Sequence, residues 1–169
     1  MGIESAHPTI RRHFVTINGE RQVHYRRAGK GPVVVLLHQS PTSSREHVPL
    51  IERLMSEFTV IAPDTPGNGL SDPLLGEQPL AEDYAHALAQ TLDALGIERC
   101  GVFGTHTGGV TATEFARLYP DRASVLIVDG ITCWTEAERA DALKNYFTPF
   151  APQWDGSHLT WLWSRMREQ

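Results

Sequence analysis

The length, composition and charge of this chain narrow the classes to which it can belong. Its 169 residues suit one domain with a hydrophobic core, and a net charge of −5 gives it no basic surface for nucleic acid. Its 41% hydrophobic content is ordinary for a globular protein, and residues 1–12 lack the apolar core of a signal peptide or membrane anchor, so a cytoplasmic location is expected.

The first 130 residues alternate strand-like and helix-like patterns. Two β-prone runs, residues 14–17 and 22–27, flank Asn18-Gly19, a sequence that predicts a tight antiparallel hairpin. Residues 33–37 form an uninterrupted aliphatic run, which is typical of a strand buried on both faces. The same rules predict further strands over residues 58–62, 99–103 and 125–128, and helices over residues 45–55, 80–95 and 108–119.

This alternation determines the predicted fold class. Because parallel neighbours in a sheet need a crossover between them, it predicts an α/β fold with a mainly parallel sheet, an N-terminal antiparallel hairpin and helices on both faces. From Trp134 onward the pattern changes, since all four tryptophans fall there with two prolines between short helical pieces. We therefore divide the chain into residues 1–130 and residues 131–169.

A glycine-flanked histidine stands between the predicted strand at residues 99–103 and the following helix. Gly104-Thr105-His106-Thr107-Gly108 has the spacing of a nucleophile elbow, a sharp strand-to-helix turn whose apex normally carries the attacking side chain. The glycines avoid collisions around the apex, and histidine is among the residues that tolerate a positive φ. The pattern predicts His106 at the apex, where it acts as a base, nucleophile or metal ligand, or where it marks a lost activity.

Three further segments carry a family resemblance. His38-Gln39-Ser40-Pro41 resembles a His-Gly-x-Pro loop, residues 64–72 resemble an Asp-x-x-Gly-x-Gly-x-Ser-Asp loop, and residues 115–122 resemble a helix-to-strand passage. With the glycine-flanked histidine, they make residues 14–130 similar to the α/β-hydrolase family. The epoxide-hydrolase and dehalogenase branches of that family resemble the chain most closely.

The resemblance implies a site as well as a fold. It places the backbone N–H groups of Gln39 and Thr107 in an oxyanion hole, where they stabilise negative charge on a substrate oxygen. It puts His106 at the nucleophile position and Asp129 at the position of the acid in some branches. The family's catalytic histidine follows a later strand, so the sequence is expected to be truncated in the cap region, with residues 131–169 as the incomplete start of a helical cap.

The resemblance also implies a class of substrate. It points to hydrolysis of a small apolar molecule with an ester, epoxide or carbon–halogen bond, without a cofactor, and to His38, Ser40 and Trp134 as substrate-binding residues. His38 and His106 without a placed carboxylate fall short of a metal centre, so no metal site is expected. Two alternatives stay open: a ligand-binding pseudoenzyme and a non-functional fragment of a longer hydrolase. The unfinished sheet is also expected to expose an edge that favours self-association.

Overall fold

A computed structural model describes residues 10–76, 78–131, 133–146 and 151–167 of the chain. Contacts divide these residues into two compact units, one reaching Ile131 and the other beginning at Cys133. The first unit contains a sheet with helices, and the second contains short helical segments.

The described part of the first unit contains six strands and three α-helices. The strands are β1 (Arg11–Ile17), β2 (Arg21–Ala28), β3 (Val33–Leu37), β4 (Thr59–Pro63), β5 (Cys100–Thr105) and β6 (Ala123–Asp129). The helices are α1 (Val48–Leu54), α2 (Ala81–Ala94) and α3 (Thr107–Leu118). Each predicted element is present, with ends that differ by a few residues.

The sheet has the strand order β1-β2-β4-β3-β5-β6. Asn18 and Gly19 both have positive φ, 50° and 75°, and connect β1 to β2 as the predicted antiparallel hairpin. β2 also runs antiparallel to β4, whereas β3 runs parallel to β4 and β5, and β5 runs parallel to β6. The carboxyl ends of β3, β4, β5 and β6 therefore meet at one edge, where α/β sheets bind their ligands.

Helices cover both faces of this sheet. On one face Leu92 of α2 and Phe115 of α3 pack in a cluster with Val102 of β5. On the other face Ile51 of α1 packs in a separate cluster with Val60 of β4. The predicted fold class, a mainly parallel sheet with an antiparallel hairpin and helices on both faces, is confirmed.

The segment predicted as one helix over residues 45–55 is two pieces. A 3-10 turn spans Ser44–His47, and the hydroxyl of Ser43 caps it by accepting the N–H of Arg45 at 3.4 Å. The α-helix begins only at Val48 because Pro49 stands in its first turn, where a residue without an N–H is tolerated.

The second unit contains α4 (Glu136–Asp141), a π-helical segment (Ala142–Tyr146) and α5 (Ser157–Arg167). Thr135 starts α4 with a capping box, since its hydroxyl accepts the N–H of Glu138 and the Glu138 carboxylate accepts the N–H of Thr135. The assignment of residues 131–169 as the start of a helical cap stays a prediction. None of the helices in the described ranges has the length and apolar character needed to cross a membrane.

Candidate functional site

The turn between β5 and α3 brings His106 to the carboxyl edge of the sheet. His106 has φ 47° and ψ −114°, directly between the last residue of β5 and the first residue of α3. A Cβ on Gly104 would collide with the carbonyl of Gly108, and a Cβ on Gly108 would collide with the carbonyl of Leu37. Glycine is therefore required on both sides of the turn, because strand, turn and helix approach one another too closely for a side chain.

The imidazole of His106 is exposed and lies over Gly130. Three of its ring atoms would stand 3.0–3.3 Å from a Cβ at position 130, which is tighter than ordinary contact, so a side chain there would require the ring to shift. The backbone N–H of His106 donates to the carbonyl of Asp129 at 2.9 Å, and its own carbonyl accepts the N–H of Val110. The sheet thus holds the apex through the backbone and leaves the ring edge open.

Asp129, the predicted acid, is tied to the apex through its backbone. Asp129 pairs in register with Thr105, so the two side chains share one face of the sheet. Thr105 is directed to the α1 face, where its hydroxyl contacts Glu46 at 3.4 Å. Among the described residues, the link between Asp129 and His106 is the backbone hydrogen bond, and the acid role of Asp129 stays a prediction.

The loop after β3 uses its N–H groups inside the protein. The N–H of Gln39 donates to Oε1 of Glu46 at 3.1 Å, and the N–H of Ser40 donates to Oγ1 of Thr107 at 2.7 Å. The structure therefore brings Ser40, not Gln39, directly to Thr107. An oxyanion hole made by the N–H groups of Gln39 and Thr107 stays a prediction, and it requires Gln39 to release Glu46.

Glu46 is a residue of this site that the sequence reasoning did not identify. Besides the N–H of Gln39, its carboxylate accepts hydrogen bonds from the hydroxyls of Thr42 and Thr105. One signal was available, because Ser43 and Glu46 have the Ser-x-x-Glu spacing of a capping box, in which the acid folds back toward the helix start. Glu46 fixes the loop after β3 against the end of β5.

His38 joins the two loops that follow β3 and β4. It is 1% exposed, its Nε2 accepts the N–H of Thr65 at 2.9 Å, and its Nδ1 lies 2.8 Å from the carbonyl of Gln39. An Nε2 that accepts requires the proton on Nδ1, where it is donated to that carbonyl. Both ring nitrogens are therefore occupied, and a substrate contact by His38 stays a prediction.

Asp64 organises the loop after β4. Its buried carboxylate accepts the N–H groups of Ser44 at 2.8 Å and Leu70 at 2.9 Å, and it lies 2.9 Å from Nδ1 of His24. Burial acts to raise the pKa of this carboxyl, but the hydrogen bonds from Ser44 and Leu70 outweigh burial and hold the pKa below its ordinary value. A Cβ on Gly69 would collide with the carboxylate. Asp64 therefore holds the geometry of this loop.

A pocket of about 250 Å³ opens beside the apex. Five hydroxyl-bearing residues line it, Ser40, Thr65, Tyr84, Thr107 and Thr111, together with Ala81 and Val110. Ser40 and Thr107 were predicted as site residues, whereas Thr65, Tyr84 and Thr111 were not.

Trp134 was predicted to bind substrate, and no metal site was expected. Trp134 belongs to the second unit and is exposed, and its role in substrate binding stays a prediction. In the described ranges, no group of three or more His, Cys, Asp or Glu side chains could hold a metal ion.

Comparison with known proteins gives consistent matches. A family model described as alpha/beta hydrolase fold matches residues 32–160. A 2-(acetamidomethylene)succinate hydrolase of Mesorhizobium japonicum is 32% identical over 136 residues, which cover 78% of this chain and 48% of the relative. A soluble epoxide hydrolase of a Corynebacterium species is 40% identical over 110 residues, which cover 63% of this chain and 37% of the relative.

A solved structure extends these matches to three dimensions. The structure of the epoxide hydrolase CorEH without ligand superposes with a TM-score of 0.71 and 30% identity, covering 81% of this chain and 50% of that one. The chain spans less than half the length of the two curated relatives named above. With a family match over most of its length, this chain belongs to the α/β-hydrolase fold family.

Proposed function

We propose that this chain is part of a hydrolase for a small molecule, in which the β5–α3 turn is the nucleophile elbow and His106 occupies the nucleophile position. The observation that carries the proposal is the backbone of this turn, with a positive φ at His106 and glycines required on both sides. The relatives support it, since they are named as hydrolases of a succinate derivative and of epoxides. The bond cleaved is an ester, epoxide or carbon–halogen bond.

His106 acts in this proposal as a base on water. A nitrogen of its exposed ring accepts a proton from a water molecule, and the water oxygen forms a bond to the electrophilic carbon of the substrate. The bond from that carbon to the leaving oxygen or halogen breaks, and the leaving atom keeps the electron pair. An oxygen leaving group then takes the proton from the imidazolium, whereas a halide departs as the ion and the imidazolium releases its proton to solvent. The N–H of Thr107 stands in the first turn of α3, where no helix carbonyl takes it, and it is available to stabilise charge that develops on a substrate oxygen. A covalent enzyme intermediate is not required.

A second candidate function is a ligand-binding pseudoenzyme. One observation favours it: the N–H groups of Gln39 and Ser40 already bond to Glu46 and Thr107, so this loop offers neither to a substrate oxygen. A protein of this kind keeps the pocket and the turn but binds without turnover.

Hydrolysis assays separate these two candidates. Nitrophenyl esters, epoxides and haloalkanes are offered to the wild-type chain and to the variants His106→Ala and His106→Asn. Asparagine is included because it tolerates the positive φ at this position while lacking the base. Both variants are expected to turn over substrate roughly 100-fold or more slowly than the wild type, because a positioned base usually contributes that much to the rate.

The control is His86→Gln, which removes an exposed histidine of α2 that bonds to Tyr119. Its turnover is expected to equal that of the wild type. Absence of wild-type turnover on every substrate would reject catalysis by His106 in this chain and favour the pseudoenzyme. Undiminished turnover in His106→Asn would reject the role of His106.

A further inference from the structure

The pocket beside the apex has an unusual lining. Five of the seven residues that line it carry a hydroxyl group, and none carries a charge. Its volume of about 250 Å³ lies below the roughly 300 Å³ at the lower end of common ligand sites. The pocket therefore suits a ligand of few atoms that exchanges hydrogen bonds with hydroxyls.

Thr107 has a hydroxyl whose direction the protein sets. Its Oγ1 accepts the N–H of Ser40 at 2.7 Å, which occupies a lone pair of that oxygen. The hydroxyl proton remains to be donated, and Thr107 lines the pocket. A hydroxyl that accepts from the protein and donates into a cavity provides an oriented donor for a ligand oxygen.

Thr111 supplies the complementary capacity one turn further along α3. Its hydroxyl donates to the carbonyl of Thr107 at 3.2 Å, so its oxygen lone pairs remain to accept a proton from a ligand. Thr111 is 8% exposed and also lines the pocket. Thr107 and Thr111 thus pair a donor with an acceptor, which matches a ligand that bears hydroxyl or carbonyl oxygens.

The remaining surface of the pocket is carbon. Ala81, Val110 and the ring-bearing Tyr84 are the lining residues with the most carbon. They favour a carbon skeleton, and none of the lining residues carries a charge that could pair with a charged ligand.

We propose that this pocket binds a small uncharged molecule with hydroxyl or carbonyl oxygens on a short carbon skeleton, and that the Thr107 hydroxyl donates to one of those oxygens. The inference rests on the proposed function, since it names the ligand class of the same site. It adds a requirement for hydrogen-bonding oxygens to the small apolar substrate that the family resemblance implies.

Binding of three matched probes tests this inference on the full chain. The probes are trans-cyclohexane-1,2-diol, cyclohexanecarboxylate and toluene, with dissociation constants measured by ligand-detected NMR titration. The diol is expected to bind most tightly. Thr107→Val is expected to weaken diol binding about fivefold to tenfold, the effect of one lost hydrogen bond, while Thr107→Ser stays within about twofold of the wild type.

Thr113→Val is the matched control. Thr113 lies on α3 like Thr111, and its hydroxyl donates to the carbonyl of Gly109, but it does not line the pocket. Its affinity for the diol is expected to equal that of the wild type. Tighter binding of toluene or of the carboxylate, binding of none of the probes, or an equal effect of Thr107→Val and Thr113→Val would overturn the inference.

The result is independent of the hydrolysis assay. Diol binding without turnover of any substrate rejects catalysis by His106 in this chain and keeps the ligand class. Turnover without diol binding rejects the ligand class and keeps the hydrolase.

Discussion

A histidine at position 106 determines what the β5–α3 turn can do. The imidazole is larger than the side chains usually found at such an apex, and the structure accommodates it by placing one side of the ring against Gly130. The sequence predicted His106 at the apex, since the glycine spacing around it is local. It did not predict the contact with Gly130, because residues 24 positions apart meet only after β5 and β6 have paired.

Buried His47 is the residue from which we expect a pH response. Burial has the largest effect on its pKa and lowers it. A hydrogen bond with the carbonyl of Leu37 and the charge of Glu46 act to raise the pKa, whereas the charge of His38 acts to lower it. Its Nε2 lies 3.7 Å from Glu46. The native state therefore resists protonation of a side chain that the unfolded chain protonates near pH 6.5.

The free energy of unfolding is accordingly expected to fall as the pH drops. Above about pH 6.5 His47 is neutral in both the native and the unfolded state, so it does not make the free energy of unfolding depend on pH. Below that pH the unfolded state binds a proton that the native state binds only near its own lower pKa, and the free energy of unfolding falls. His47→Leu removes this response. Between pH 7 and pH 5 the free energy of unfolding of this variant should therefore change less than that of the wild type, and the difference should be at most about 1.4 kcal/mol for each pH unit. Urea unfolding followed by circular dichroism measures the difference.

Ile51→Val is the control for this prediction. It truncates a fully buried residue of α1 and is expected to cost about 0.5–1.5 kcal/mol at every pH, without changing the slope. A His47→Leu profile parallel to the wild type would show that His47 does not carry the pH response.

At the scale of elements, local pattern predicted the strands well and their ends less well. β5 was predicted to end at residue 103, directly before the glycine-flanked histidine motif. It runs to Thr105 instead, since Gly104 pairs with Leu37 on one side and Val128 on the other. The position of β4 between β2 and β3 had no local signal, because neighbours in a sheet are chosen by long-range packing.

Two glycines of β5 provide a test of the close approach between β5 and α3. A Cβ on Gly104 would meet the backbone of Gly108 and Gly109, whereas a Cβ on Gly101 would meet Val34 at an ordinary distance of 3.7 Å. Gly104→Ala is expected to lower the free energy of unfolding by about 1–3 kcal/mol more than Gly101→Ala, the usual cost of overpacking. Urea unfolding of both variants gives the values. Equal losses would mean that the turn adjusts without strain.

At the scale of the whole molecule, β6 is the feature that the first unit leaves uncovered. Val125 and Ile127 are both 56% exposed, and Leu126 and Val128 are both 39% exposed. The strand register pairs Ile127 with Phe103, which packs in the cluster on the α1 face of the sheet. It pairs Leu126 with Val102, which packs in the cluster on the other face. Apolar side chains on both faces are typical of a strand buried within a parallel sheet. Among the described residues, β6 pairs with β5 alone.

We expect this edge to drive self-association of the chain. An unpaired apolar strand offers both backbone hydrogen bonds and hydrophobic surface to a second copy. Sedimentation velocity over a range of protein concentrations should show a species that grows with concentration, and Ile127→Lys should shift it toward the monomer, because a charge on an edge strand opposes pairing. Leu75→Lys, which alters a residue 81% exposed in the loop before α2, should leave the distribution unchanged. A wild type that stays monomeric at every concentration would contradict the prediction, and an equal shift in both variants would assign the association to general hydrophobicity instead of to β6.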